Sequence, residues 1–448
     1  MLTSTTLLIA IFLSIAFIIV ASAVFKLHPF LALFVATLGL GLGVGLGPEQ
    51  LIEAINGGFG GLLGYIGLIV VMGSIIGVIL EKSGAAIRIA DLMLSLLGQK
   101  RPALAMSLIG AVVSVPVFCD SGFIILSGLN KALSKRTGVA KSTLALALAS
   151  GLYTTHTLIP PTPGPVAAAG NIGAGDYLGT IMLLGLIVSI PTLLAAYYFS
   201  RRYGPHIPSS AEVFPEPEQE RMPGAFLSLA PILLPILLIA GGSVAGYFGW
   251  EEGAGMILRF TGHPLIALFI GLLFAFSLLP AMNEAYLNGW IAEGVKLAGP
   301  ILVITGMGGA FGGVLKATPL GELVGGWVSG ESYAGPLLLI LTFLISALLK
   351  TAQGSSTSAL VITSSILAPL VGTMGFDTPL ELGLVVMALG GGAMTVSHAN
   401  DSYFWVVSQF SGIEMRNAYR SYTVMTGLQG LVVLGMTLLL YWMLGAGF

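Results

Sequence analysis

Apolar runs of about 20 residues, parted by short polar stretches, recur along the whole chain. A helix rises about 1.5 Å per residue, so a run of about 20 spans a hydrocarbon core of about 30 Å. In the first half the runs predict spans at residues 4–24, 29–46, 61–80, 142–174 and 177–199. In the second half they fall at residues 225–248, 264–279, 299–315, 380–410 and 422–444. Two further apolar stretches, 102–130 and 336–370, are each cut in the middle by polar residues and read as hairpins that return to their own side. The spans at 142–174 and 380–410 are themselves interrupted. Residues 201–223 form the one long polar segment and divide the chain into a first half, 1–200, and a second, 224–448.

Composition sharpens this picture. Hydrophobic residues make up 56% of the 448 and charged ones only 8%, against about 25% charged in a soluble domain. That excludes a soluble enzyme, a disordered chain and a coiled coil, and leaves an all-α polytopic membrane protein. The net charge of −2 gives no reason to expect nucleic acid as a partner. One cysteine, Cys119, excludes a disulfide framework and a Cys-rich metal site. The 62 glycines and 23 prolines exceed what plain spanning helices need, and point to close packing and broken helices. The first run lacks a basic leader and a clear cleavage site, so it reads as a retained span. With the N-terminus outside and ten crossings, fifteen of the 18 Lys and Arg fall in inner loops, Lys82, Lys131, Lys135, Arg136 and Arg201 among them. Only Arg259 and Lys316 fall outside, which favours this topology, with both termini outside, over its inverse.

The halves show weak self-similarity. Gly73, Gly77 and Leu80 match Gly308, Gly312 and Leu315 at an offset of 235, which also carries Asp120 and Ser121 onto Ser355 and Ser356. Each half has an odd number of crossings, so the second lies upside down relative to the first. Two inverted repeats with paired broken segments are the plan of secondary carriers, whose sites lie near the bilayer midplane.

Four polar breaks carry the candidate chemistry. The first, residues 117–123 (VFCDSGF), places Asp120 at membrane depth, where a charge costs about 2.5–3.5 kcal/mol on insertion scales. A half-helix opening at Ser121 and Gly122 offers free N–H groups and the positive end of its dipole to an anion or hydroxyl. The second break, 153–165, holds Thr155, His156 and Thr157 ahead of four prolines that cannot continue a helix, with Asn171 just beyond. The third, 350–358 (KTAQGSSTS), brings Lys350 and the hydroxyls Ser355, Ser356 and Thr357. A cation here suits an anionic substrate or a pair with Asp120. The fourth, 394–404, holds Ser397, His398, Asn400, Asp401 and Ser402. Plainer readings stand beside these: Asp120 as a helix cap, His156 as a satisfied core residue, Lys350 as a side chain reaching for the interface, 399–401 as a turn. Together the breaks suit a small polyhydroxylated carboxylate, with Asp120, His156, His398 and Asp401 as groups able to exchange a proton.

At these breaks the sequence resembles the gluconate permease (GntP-type) family of proton symporters, nearly end to end. The strings VFCDSGF at 117–123, THTLIPPTPGPVAAAGNIGA at 155–174, KTAQGSSTSA at 350–359 and SHANDSYFW at 397–405 carry the likeness. The resemblance implies proton-coupled uptake of gluconate or a related sugar acid or hydroxy acid across the bacterial inner membrane. It leaves D-serine or another small hydroxy amino acid, or a sodium-coupled carboxylate, as alternatives. Through the wider ion-transporter superfamily it also implies a homodimer and an elevator-type motion of hairpins and broken spans against a scaffold.

Other functions fit less well. A channel needs no pair of hairpins entering from opposite sides. A membrane metalloenzyme needs ligand spacing such as HExxH, and an ATP-driven pump a GxxxxGK[ST] loop; neither occurs. No metal and no cofactor is expected.

Overall fold

A computed structural model describes residues 4–23, 25, 27–97, 101–209, 222–247, 249–250, 252–319, 334–399 and 401–443. Most of the polar segment between the halves, and Asn400 in the fourth break, lie outside the described residues. Among those described, all regular structure is helical. The first half runs α1 (Ser4–Ala23), α2 (Pro29–Gly43), α3 (Pro48–Lys82), α4 (Ala85–Leu97), α5 (Pro102–Val113), α6 (Cys119–Thr137), α7 (Lys141–Leu158), α8 (Pro163–Asn171) and α9 (Leu178–Tyr203). The second runs α10 (Ala225–Tyr247), α11 (Ala254–Thr261), α12 (Pro264–Phe276), α13 (Glu284–Lys316), α14 (Ala334–Gln353), α15 (Ser356–Val371), α16 (Pro379–Met394) and α17 (Ser402–Ser411). It ends with the short α18 (Met415–Ala418), which leads through a π-turn at Tyr419–Thr423 into α19 (Val424–Met443).

Six helical segments among the described residues are long and apolar enough to cross a membrane, and eight if each of two bent pairs forms one span. The shorter apolar helices include α5 and α16, which the breaks cut short. Prolines open α2, α3, α5, α8, α12 and α16, where a missing N–H costs nothing. Left-handed glycines close α6 and α17, Gly138 at φ 71° and Gly412 at φ 67°.

Two helices outrun their hydropathy. The apolar pattern predicts spans at 61–80 and 299–315, yet α3 begins at Pro48 and α13 at Glu284. Their extra turns carry Glu49, Glu53, Glu284, Glu293 and Lys296. A helix needs no apolar side chains to satisfy its backbone, so only the window ends there. The two helices run antiparallel in close contact. A methyl on Gly58 would strike the carbonyl of Gly309, one on Gly313 that of Ala54, and one on Gly294 the backbone of Ile75. An ion pair between Lys82 and Glu293 joins them further along.

Helices α7 and α16 form the centre. Every residue of α7 from Ser142 to Leu158 is buried, as is every residue of α16 from Leu382 to Met394. A helix apolar all round must be covered all round. The contacts of the two halves correspond. Helix α7 packs on α5, α6 and α9, and α16 packs on α14, α15 and α19. A methyl on Gly151 would meet Ser107 of α5, and one on Gly392 would meet Phe343 and Ser346 of α14. At the periphery α9, α10 and α12 present Leu183, Ile190, Leu237 and Leu273 outward.

Candidate functional site

All four predicted breaks interrupt helices, at tighter limits than the sequence suggested. The second lies at residues 159–162, so Thr154 to Leu158 are helical. Pro160 disfavours helix in the residue before it, which stops α7 there. Pro163 and Pro165 do not prolong the interruption but lie in the first turn of α8, where proline is accepted. The threonine hydroxyls turn back onto their own helix: Thr155 bonds the Gly151 carbonyl at 3.4 Å and Thr157 that of Tyr153 at 3.1 Å. In the first break the half-helix opens at Cys119, two residues earlier than expected, and Asp120 lies in its first turn without capping it. In the third, Lys350 to Gln353 are the last turn of α14, and Ser355 caps α15 by accepting from the Ser358 N–H at 3.1 Å. In the fourth, Asp401 caps α17 by accepting from the Tyr403 N–H at 3.0 Å.

The four half-helices start in two pairs. Helices α8 and α15 run side by side from their N-termini, Gly164 against Thr357 and Leu360, and the Asn171 amide donating to the Val361 carbonyl at 3.1 Å and Ser364 Oγ at 2.8 Å. Helices α6 and α17 start together, with Ser402 Oγ 3.4 Å from Asp120 Oδ1 and the Phe123 and Tyr403 rings edge to face at 6.2 Å. Tyr153 of α7 links the pairs, touching Ser356 at the start of α15, with its ring tilted against that of Tyr403 at 5.2 Å. Four positive helix ends are thus gathered around one central region, although side-chain caps and prolines take up some of their N–H groups.

Lys350 stands in that region. It is 1% exposed, yet it pairs not with Asp120 but with Asp401 of the fourth break, Nζ to Oδ2 at 2.5 Å. Its Nζ also donates to the Gly354 carbonyl at 2.9 Å and lies 5.8 Å from the centre of the Tyr153 ring. Ser397 Oγ donates to the same carboxylate oxygen of Asp401. His398 Nε2 bonds the Thr351 carbonyl at 2.9 Å. The last turn of α14 therefore grips the fourth break at two points. Just ahead of both points Val396 has φ 57°. A β-branched residue there is strained, at a cost of about 1–3 kcal/mol.

Some buried polar atoms have no partner among the described residues. The Nδ1 of His156 is one, beside the Phe118 ring 6.0 Å away; Nε2 and Oε1 of Gln353 are two more, at the end of α14. Each such atom costs about 1–3 kcal/mol unless something pairs with it. Gln353 escaped the sequence reading although it lies within the third break. Gln429 escaped it too: from α19 its amide donates to Thr154 Oγ1 at 2.7 Å and the Ser150 carbonyl at 3.1 Å. A lone glutamine in an apolar span was the available signal.

Not every expected residue joins the centre. Gly122 packs on Leu152 of α7. Ser121 lies against Glu81, at the end of α3. Asn171 lines a separate cavity of about 860 Å³ between α3, α8, α13 and α15, together with Glu53, Lys316 and Ser365. Among the described residues no group of three His, Cys, Asp or Glu is placed to hold a metal ion.

Comparison with known proteins agrees with this architecture. Residues 6–443 match the family described as GntP family permease. The chain belongs to that family. It is 34% identical to an uncharacterized permease of Haemophilus influenzae, across 91% of this chain and 85% of that protein. It is 32% identical to a gluconate permease of Pseudomonas aeruginosa, across 93% of each, and 29% identical to the D-serine transporter DsdX of Escherichia coli K12, across 96% of each. Among solved structures it is similar to the YdaH transporter of Alcanivorax borkumensis, with a TM-score of 0.67 and 16% identity, covering 94% of this chain and 99% of that one. That likeness concerns the fold alone. A GntP family permease with these apolar helices is a membrane protein and a transporter.

Proposed function

We propose that this permease is a secondary active carrier that takes up gluconate or a related small sugar acid or hydroxy acid together with protons, by alternating access across the bacterial inner membrane. The observation that carries the reading is the central region itself. Four half-helix N-termini, a buried lysine and the unpaired amide of Gln353 offer what a polyhydroxylated carboxylate needs: positive potential for the carboxylate and hydrogen-bond partners for the hydroxyls. Substrate contacts fall to Thr155, His156, Thr157, Lys350, Ser355, Ser356, Thr357, Ser397, His398 and Ser402, with Asn400, outside the described residues, as a further candidate; Ser121, Gly122 and Asn171, candidates by sequence, pack away from the centre. Asp120, Asp401, His156 and His398 are the groups able to take the proton.

The matching contacts of the halves support two inverted repeats, 1–200 and 224–448, joined by a linker at 201–223. Because α9 continues to Tyr203, the linker proper begins a few residues later than the polar composition suggests. In this reading both termini face outward, and the hairpins and broken spans move as a unit against α1, α2, α10 and α12 in a homodimer. Sodium in place of protons is the competing coupling. The likeness to the D-serine transporter makes a small hydroxy amino acid the competing substrate.

Counterflow tests the function. Proteoliposomes loaded with unlabelled gluconate should accumulate labelled gluconate above its outside concentration, which a channel cannot do. Failure to exchange gluconate, other sugar acids, hydroxy acids or D-serine would contradict the carrier reading.

A further inference from the structure

Resting on the reading of a small-acid carrier, we propose that Lys350 exchanges carboxylate partners during transport. In the empty carrier it holds Asp401; in the loaded carrier it holds the substrate carboxylate, and Asp401 takes up a proton. No electrons move: one O–H bond forms on Asp401, one ion pair is broken and one is made. The proton and the acid therefore enter together, because one ammonium charge balances only one carboxylate.

Three observations lead here. First, the pair is dry, with Lys350 1% and Asp401 4% exposed. A buried ion pair is weak evidence of stabilisation, since apolar side chains of similar size often serve as well. Second, the pair spans two interrupted elements. Lys350 lies in the last turn of α14 and Asp401 caps α17 across the strained break at Val396, so parting them needs no continuous helix to unwind. The Gly354 carbonyl and Ser397 hydroxyl already touching the pair can follow either partner. Third, charge must balance. Asp120 lies within electrostatic reach of both residues, so the region holds two carboxylates and one ammonium. The empty region thus already carries one excess negative charge; a further anion would double it, at a cost of several kcal/mol, and one proton restores the balance of the empty state.

The groups that face Asp401 come from every element packed on it. They are Lys350 of α14, Cys119 and Asp120 of α6, Tyr153 and His156 of α7, Tyr422 of the π-turn, and Ser397 and His398 of its own break. Asp120 is the rival for the proton. Its side chain has a long contact to Ser402 and no ion pair among the described residues; Lys350 acts on it only at a distance, so binding an acid on Lys350 breaks no direct bond to Asp120.

The test titrates the purified permease in lipid nanodiscs with gluconate, in weak buffer with a pH indicator, and repeats the affinity measurement across pH. Wild-type protein should take up about one proton per gluconate bound, with affinity falling about tenfold per pH unit on the alkaline side. Asp401→Asn should bind gluconate without proton uptake and independently of pH, whereas Asp120→Asn should keep the wild-type uptake. Should Asp401→Asn not fold, because it strands the ammonium, the neutral pair Lys350→Gln with Asp401→Asn serves instead. It should bind gluconate at least about tenfold more weakly, as expected for a lost charge-assisted bond, and take up no proton. Wild-type proton uptake in either Asp401 variant, or affinity within twofold of wild type in the neutral pair, overturns the exchange while the carrier reading stands. Wild-type protein that binds no hydroxy acid at any pH overturns both.

Discussion

Gln353 shows how much a single residue can say about a ligand. Its side-chain amide is buried at the end of α14 with neither nitrogen nor oxygen paired among the described residues. A carrier that must release its load cannot satisfy every polar group internally, and an amide of this kind matches a hydroxyl, which both donates and accepts. Gln353→Leu keeps the approximate volume and removes both partners. It should weaken gluconate binding by about 2–10-fold, the worth of one ordinary hydrogen bond, and weaken a monohydroxy acid less. Competition of the two acids against labelled gluconate measures this, and an equal loss for both would speak against a hydroxyl contact. At this scale the sequence is a partial guide. Polar residues inside apolar runs mark Asp120, His156, Lys350, Ser397 and Asp401 as unusual, because burying them needs a reason. The partner of Lys350 could not be read, because Asp401 is 51 positions away and the hydrophobic pattern carries no information about which polar groups meet. Asp120 was as good a candidate by composition.

Helix-level features were more legible. Gly, Pro and clustered hydroxyls locate the four interruptions because each is incompatible with a continuing helix in hydrocarbon. Their limits were less clear. Thr154, Thr155 and Thr157 of α7 satisfy their hydroxyls on carbonyls one turn back and stay helical, and prolines are as good at opening α8 as at ending α7. The packing of α3 on α13 rests on absent side chains. Gly58 and Gly309 face each other so closely that any Cβ meets backbone. Gly309→Ala should therefore lower stability by about 1–3 kcal/mol, the usual cost of overpacking, visible as a lower midpoint in thermal unfolding of the purified protein. Gly299→Ala, on the same helix with open space around it, should lose far less and controls for the substitution itself. Equal losses would mean that the two helices can separate without cost.

Across the whole molecule, corresponding contacts in the two halves gather the half-helix starts into one region, although each start is encoded far from the others. The all-helical class and the membrane setting follow directly from hydropathy, and the places of the four interruptions were legible along the chain. The meeting of the pairs was not, since it depends on how α7 and α16 are enclosed by the remaining helices. The most direct measurement is a structure of the permease in lipid nanodiscs at saturating gluconate. Density for the acid should lie between the starts of α6 and α17 and those of α8 and α15, with its carboxylate on Lys350 and a hydroxyl at Gln353. Density confined to the cavity by Glu53 and Lys316, with Lys350 still paired to Asp401, would contradict the account.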